Sequence, residues 1–331
     1  MTGGEGYTFS IVFDDTSTRP SNGGTRLCAY ADDRAAVAEN VALARRMHLK
    51  HRLYNTGFSG GKIVVNAIPG QCSMPSLLAD IGDELNRLDG AMYTGCDLNI
   101  GLADMRILSR TTPFILAGLG KPHDPNIATA MGVLGSVRAA LGSAVCRELG
   151  RPSVLVVGCG QVGAPLARGL VERDAVRVFT SDLRSSRADV HGARNISGRD
   201  WSAGEFDVVV LCTGSGIVTD GLARTLRCRV LVSAANLPFA CPRAARRIRA
   251  RGTVVVPDVI SNSGAVICDS VEHYAPDAFV RTASERIYGF VEHLVEAKTS
   301  HYLDEIGGHG GEDGLEAFFA EPGAFCGERF R

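Results

Sequence analysis

Apolar and polar positions along the chain fall into two rhythms. In the first half, short apolar runs alternate with amphipathic stretches. "YTFSIVFDD" (residues 7–15) is mostly apolar and ends in acidic turn residues, which predicts a strand. In "DDRAAVAENVALARRMHLKHRL" the apolar residues Val37, Val41, Leu43, Met47 and Leu49 recur at roughly helical spacing, and Asp32 or Asp33 can cap the helix. "GKIVVNAIPG" predicts a short strand stopped by Pro69 and Gly70, and "MPSLLADIGDELNRLDG" a second amphipathic helix ended by Gly90. "AMYTGCDLNIGLADM" reads as a strand running into a turn.

The second half changes period. "PNIATAMGVLGSVRAALGSAVCREL" predicts a long helix, followed by the strand, Gly-rich turn and helix of "SVLVVGCGQVGAPLARGLVERD". "AVRVFTSD", "FDVVVLCTG", "RVLVSAAN" and "GTVVVPDV" are continuous apolar runs. Such strands, separated by helices, indicate a parallel sheet covered on both faces. The expected class is therefore α/β, with a boundary near Pro125. Residues 1–125 form a first domain, 126–270 a Rossmann domain, and 271–331 C-terminal helices packing back on the first domain. The glycine-rich "GGHGGEDG" (307–314) reads as a flexible tail.

Composition narrows the possible partners. The 331 residues carry a formal net charge of −1, so no long-range field draws in nucleic acid or an anionic membrane. No apolar run approaches bilayer length, and the opening "MTGGEGYTFSIVFDD" does not read as a secretory leader. The ten cysteines are scattered without zinc spacing and read as small buried hydrophobes. The expectation is a cytoplasmic, reduced protein without metal.

Two features point to chemistry. The first is Gly158-Cys159-Gly160-Gln161-Val162-Gly163, a GxGxxG between a strand and a helix. Gly158 permits the tight turn, Gly160 lets a pyrophosphate approach the backbone, and Gly163 allows close helix–strand packing. Asp182 ends the next strand, 24 positions after Gly158, where an acid meets a ribose 2′-hydroxyl and repels the extra phosphate of NADP. The expected cofactor is NAD. Gln161, Val162 and Thr213, the last in "VLCTG", join its candidate contacts. The alternative is a nucleotide-free domain whose glycines serve packing.

The second feature is lysine usage. Of 35 Lys+Arg residues only four are lysine, and two of these, Lys50 and Lys62, stand twelve positions apart around "SGG". If the turn folds them into one cleft, mutual repulsion and burial lower a lysine pKa. One could then bind a carboxylate while the other works as a base. A single lysine by a turn would be only a solvated charge. Asp97, in "YTGCDLN", ends a strand candidate and by itself would read as a turn-capping residue.

Several motifs in order give these residues a family. "GGTR" (23–26), "RMHLK" (46–50), "GGK" (60–62), "YTGCD" (93–97), "ATAMGV" (128–133), the GxGxxG, "SAAN" (233–236) and "PDVISNSGAVI" (257–267) resemble the glutamate/leucine/phenylalanine/valine dehydrogenases, nearest the leucine and phenylalanine branch. The resemblance runs from about residue 7 to about residue 299. It implies a catalytic domain and a Rossmann NAD-binding domain with the active-site cleft between them. It implies that Lys50, with the backbone at Gly23 and Gly24, binds the substrate carboxylate. Lys62 would activate water, Asp97 would exchange a proton with the amino group, Thr129 and Asn236 would hold the nicotinamide end, and Asn262 would approach the amine. The implied reaction is reversible oxidative deamination of a neutral L-amino acid to a 2-oxo acid and ammonia. A one-way imine or 2-oxo acid reductase and a catalytically idle NAD-binding protein are the alternatives.

The chain also departs from the family pattern. Asn22 stands where relatives carry an apolar residue, Ser59 replaces the first glycine of "GGGK", "SNSGAV" replaces an "NAGGV"-like loop, and Cys96 precedes Asp97. These changes suggest a pocket more polar than one for leucine. The altered chain ends, which often form subunit contacts, lead to the expectation of a homodimer.

Overall fold

The computed structural model describes residues 2–4, 6–121, 123–306, 315–320 and 323–330. The chain divides into two compact units. One comprises 1–125, 266–282 and 320–331, the other 126–265 and 283–319.

The first unit is built on a mixed sheet of β1 (Thr2–Gly4), β2 (Tyr7–Phe13), β3 (Ser21–Asn22), β4 (Thr25–Cys28), β5 (Ser59–Asn66) and β6 (Met92–Tyr93). β5 is the hub. β2 runs antiparallel to one of its edges, and β3 and β4 run parallel to the other, one after the next. The helix α1 (Asp33–Tyr54) starts at Asp32, whose side chain accepts from the Ala35 amide, and stops at Asn55 in a left-handed conformation (φ 46°). α2 (Met74–Arg87) packs on the opposite face, where Phe9, Leu27, Ile63, Val65, Leu77, Ile81 and Leu85 form the core. Val64 instead packs with Ala36 and Leu43 of α1. Strand residues two apart share a face, so Lys62 lies on the α1 side with Val64, and Arg26, one before the core residue Leu27, lies there as well.

Glycine sets how close α1 can come. A Cβ at Gly60 would stand 2.3 Å from the His48 amide nitrogen and 2.5 Å from the Ala44 carbonyl oxygen. At Gly61 it would stand within 2.4 Å of the Met92 sulfur. Ser59 occupies the position where glycine was expected because its hydroxyl has a partner, donating to Asp14 Oδ2 at 3.0 Å.

The second unit holds a parallel sheet of β7 (Ser153–Val157), β8 (Arg177–Ser181), β9 (Arg194–Asn195), β10 (Glu205–Leu211), β11 (Arg227–Ser233) and β12 (Val254–Val255), in the spatial order β12-β11-β10-β7-β8-β9. Strand order reverses between β7 and β10, the topological switch point beside which open α/β sheets bind ligands. The apolar runs predicted all of these strands except β9, and "GTVVVPDV" contributes only two residues to the ladder.

Three further elements differ from expectation. The helix Pro125–Gly142 (named α3 here) ends seven residues early, in turns held by bonds such as Ser143 Oγ to the Ala140 carbonyl. In "AMYTGCDLNIGLADM" the strand lasts two residues and Leu102–Leu108 is helical, because beyond Tyr93 the segment meets isolated bridges rather than a continuous ladder. The long helix Ser284–Ile306 groups with the second unit. It lies against α3, where a Cβ at Gly135 would come within 2.4 Å of the Glu292 carbonyl oxygen, and Ser136 Oγ meets Thr299 Oγ1 at 2.7 Å. Residues 307–314, expected to be flexible, lie outside the described residues.

Candidate functional site

The chemistry-bearing residues of the first unit converge on the junction between β3 and β4. Gly23 and Gly24 make that junction. A Cβ at Gly23 would overlap the Gly61 carbonyl oxygen (1.7 Å), and one at Gly24 would stand 2.6 Å from the Cys96 carbonyl oxygen and 3.0 Å from Asp97 Cβ. Only glycine lets the chain pass between β5 and the Asp97 loop at this distance. The Gly23 amide donates to the Tyr93 carbonyl and the Thr25 amide to the Gly95 carbonyl, which binds the junction to the segment carrying Asp97.

Lys62 Nζ lies 2.6 Å from Asp97 Oδ2. Arg26 Nε reaches the same oxygen at 3.0 Å, and Arg26 Nη1 pairs with Glu39 Oε1 on α1 at 2.7 Å. Sequence reasoning did not identify Arg26 or Glu39. Arg26 was visible only as the last letter of "GGTR", and Glu39 is one of many helix acids with no local mark. The Lys62 side chain is 5% exposed and that of Asp97 22% exposed, so the carboxylate presents the accessible edge of the pair.

Burial and the nearby Arg26 charge lower the Lys62 pKa, and Asp97 opposes the fall. Burial alone would raise the Asp97 carboxyl, but the charges and hydrogen bonds of Lys62 and Arg26 outweigh it and hold it well below the usual carboxylate range. Lys62 can therefore lose its proton at a lower pH than a free lysine, while Asp97 keeps its negative charge. Burial pushes the adjacent Cys96 thiol up to about 12, leaving it neutral and unreactive.

Lys50 lies in the last turn of α1 and is 5% exposed. The neighbouring His51 is clamped between Thr56 Oγ1 (2.6 Å from Nδ1) and the Asn22 carbonyl oxygen (3.1 Å from Nε2), which ties the helix end to β3. Burial drives His51 down to about 3, the Asn22 carbonyl opposing and the charges of Lys50 and His48 adding to the fall. The ring is neutral near pH 7, so it acts as a brace.

Two acids on the helix Gly264–Tyr274 were also missed by sequence reasoning. Asp269 Oδ2 accepts from Asn22 Nδ2 at 2.8 Å, and Glu272 accepts from the Gly118 amide through both oxygens, at 3.1 and 3.0 Å. Burial raises both carboxyls, Glu272 to about 7.

In the second unit the GxGxxG forms the expected turn. Gly158 has φ +88°, and a Cβ there would stand 2.3 Å from the Cys212 carbonyl oxygen. A Cβ at Gly163 would stand 1.9 Å from the Gly158 carbonyl oxygen, whereas nothing lies within 4 Å of one at Gly160. The turn is thus tight at its ends and open in the middle, at the start of the helix Gly163–Arg173, which suits a pyrophosphate. Asp182 accepts from the Cys159 amide (2.7 Å, Oδ2) and the Arg184 amide (2.8 Å, Oδ1), placing its charge at the edge of that turn. Gln161 is exposed and Val162 half-buried, and the Thr213 methyl faces Gly158. Asn262 Nδ2 donates to Asn236 Oδ1 (3.0 Å) and to the Ala234 carbonyl (3.1 Å), and Gly264 stands against Thr129. These residues fit a dinucleotide. Replacing Asp182 by serine should raise NADP⁺ use relative to NAD⁺ by roughly tenfold, equivalent to about 1.4 kcal/mol. Steady-state kinetics with both cofactors checks this, and an unchanged ratio counts against Asp182 as the selector.

No group of three or more His, Cys, Asp or Glu side chains among the described residues could hold a metal, and none of their helices is long and apolar enough to cross a membrane.

The sequence model of the Glutamate/Leucine/Phenylalanine/Valine dehydrogenase family matches residues 181–319. Leucine dehydrogenase of Bacillus subtilis (strain 168) is 28% identical over 295 residues, covering 86% of this chain and 81% of the relative. L-tryptophan dehydrogenase of Nostoc punctiforme is 30% identical over 263 residues, covering 78% of this chain and 74% of the relative. The crystal structure of the Nostoc punctiforme enzyme superposes with a TM-score of 0.73 at 25% identity, over 94% of this chain and 90% of that one.

Proposed function

This chain belongs to the glutamate/leucine/phenylalanine/valine dehydrogenase family, and from that premise we propose how its side chains divide the work of oxidative deamination. The protein is an NAD-dependent amino acid dehydrogenase, converting a neutral amino acid to a 2-oxo acid and ammonia. The observation that carries the assignment of roles is the buried Lys62–Asp97 pair at 2.6 Å, flanked by Arg26.

In this reading Lys50 and the backbone at Gly23 and Gly24 hold the α-carboxylate. Asp97, ionised and at the accessible edge of the pair, takes a proton from the substrate ammonium, giving the free amine. Gly158, Gly160, Gln161, Val162, Gly163, Asp182 and Thr213 hold the cofactor's pyrophosphate and adenosine end, and Thr129 and Asn236 its nicotinamide end. Bound NAD⁺ supplies the hydride acceptor for the α-carbon, which leaves a substrate iminium. Lys62, whose pKa is lowered by burial and by Arg26, acts in its unprotonated form and takes a proton from water as the water oxygen attacks the iminium carbon. Asp97 returns its proton to the nitrogen of the carbinolamine, and as the C–N bond breaks the again-ionised Asp97 takes the hydroxyl proton, so that ammonia leaves as the carbonyl forms. Lysine suits the base role because arginine does not give up its proton. Asn262 orients the departing amine.

The test is NADH formation at alkaline pH with a panel of neutral L-amino acids. Turnover supports the dehydrogenase. NADH loss with 2-oxo acids and ammonia, without any forward reaction, would make it a one-way reductase. Silence in both directions with NAD still bound would make it an idle binding protein.

A further inference from the structure

We propose that Asp269 sets substrate specificity by hydrogen-bonding a polar group, a hydroxyl or carboxamide, on the side chain of a neutral amino acid substrate. The inference rests on the dehydrogenase reading, and within it replaces an apolar side chain by a polar one.

Its first support is position. Asn22 is 1% exposed and immediately precedes the Gly23–Gly24 junction assigned to the α-carboxylate. Its amide holds Asp269 Oδ2 at 2.8 Å, so the carboxyl sits beside the glycines that would grip the substrate backbone. The charge of Asp269 also adds to the rise of the Cys96 thiol, which burial chiefly causes, and Cys96 adjoins Asp97. In this proposal a substrate held between Gly23–Gly24 and Asp97 turns its remaining substituent toward Asp269.

The second support is rigidity. The helix bearing Asp269 is tied down on its neighbouring turns. Ser270 Oγ donates to the Thr56 carbonyl at 2.6 Å, Tyr274 Oη to the Gly57 carbonyl at 2.8 Å, and Glu272 receives the Gly118 amide. A carboxyl fixed in this way cannot swing into solvent when a ligand arrives.

The third is an open valence. Among the described residues Oδ1 of Asp269 has no hydrogen-bond partner, although the residue is half-buried. A methyl group pressed against that oxygen would strip its water and return nothing, whereas a hydroxyl or amide would satisfy it. Burial, with the charge of Glu272 adding and the Asn22 bond opposing, raises the Asp269 carboxyl well above its usual range. Burial that opposes its charge suits this carboxyl to a neutral polar partner.

The experiment compares kcat/KM for isosteric pairs, L-leucine with L-asparagine and L-norvaline with L-homoserine, in the wild type, Asp269→Val and Asp269→Asn. The wild type should favour the polar member of at least one pair. Asp269→Val should swing that ratio toward the apolar member by roughly tenfold or more, the discrimination expected of a buried polar contact. Asp269→Asn should keep the polar preference. A wild type that prefers both apolar members, or L-lysine over all four, overturns the proposal, and neither result needs a folded variant. So does an Asp269→Val enzyme with an unmoved ratio. Preference for leucine leaves the dehydrogenase reading intact, while silence toward every amino acid and every 2-oxo acid with ammonia sinks both.

Discussion

Replacing Lys62 by alanine lowers kcat by about a thousandfold or more, within the range set by loss of a general base, and leaves NADH binding unchanged. The size follows from the isolation of this lysine. It is buried, and the other nearby cation, Arg26, stays protonated because Asp97 and Glu39 hold its pKa above the ordinary value against burial. Arg26 therefore cannot replace Lys62 in taking the proton of the attacking water, and Asp97 is engaged with the substrate nitrogen. The fold should survive, because Asp97 keeps Arg26 at 3.0 Å and is not left as an unpaired buried charge. Circular dichroism and NADH fluorescence check folding and cofactor binding, and stopped-flow absorbance measures turnover. Substantial residual turnover in a folded, NADH-binding variant would remove Lys62 from the role of base.

Replacing Asp97 by asparagine should cost kcat about a hundredfold to ten-thousandfold, the usual contribution of a positioned acid or base. It should also move the pH profile in a stated direction. Lys62 must be unprotonated to act, so activity rises as pH rises through its pKa. Burial and Arg26 lower that pKa, and Asp97 is the group that opposes them. With the carboxylate gone, the ammonium form loses its counter-charge, the pKa falls further, and the rising limb shifts to lower pH. A shift to higher pH, or none, would contradict the pairing. The displacement tests the ion pair with Lys62, and the loss of kcat that remains on the plateau of the profile tests Asp97 as a reacting group.

Parts of the site were legible because they are local. The GxGxxG, Asp182 and the two lysines are marked by spacing and by the scarcity of lysine. What escaped was tertiary. Arg26 and Glu39 are thirteen positions apart on different elements, and the Asn22–Asp269 bond spans 247 residues. Periodicity cannot signal a partner brought in by a helix from the far end of the chain. The same limit explains the short strands at Met92–Tyr93 and Val254–Val255. A run's apolar character shows that it is buried, but its ladder length depends on neighbours elsewhere in the sequence. Ser59 shows the converse, since a departure from the expected glycine is accounted for by one residue, Asp14, brought near by the sheet.

The central claim is that this site removes the amino group of an L-amino acid by hydride transfer followed by hydrolysis. The most direct measurement is ammonia and NADH counted together from one L-amino acid that supports turnover with NAD⁺. The account predicts one ammonia released for each NADH formed. NADH formed without ammonia, or ammonia released without NADH, would contradict it.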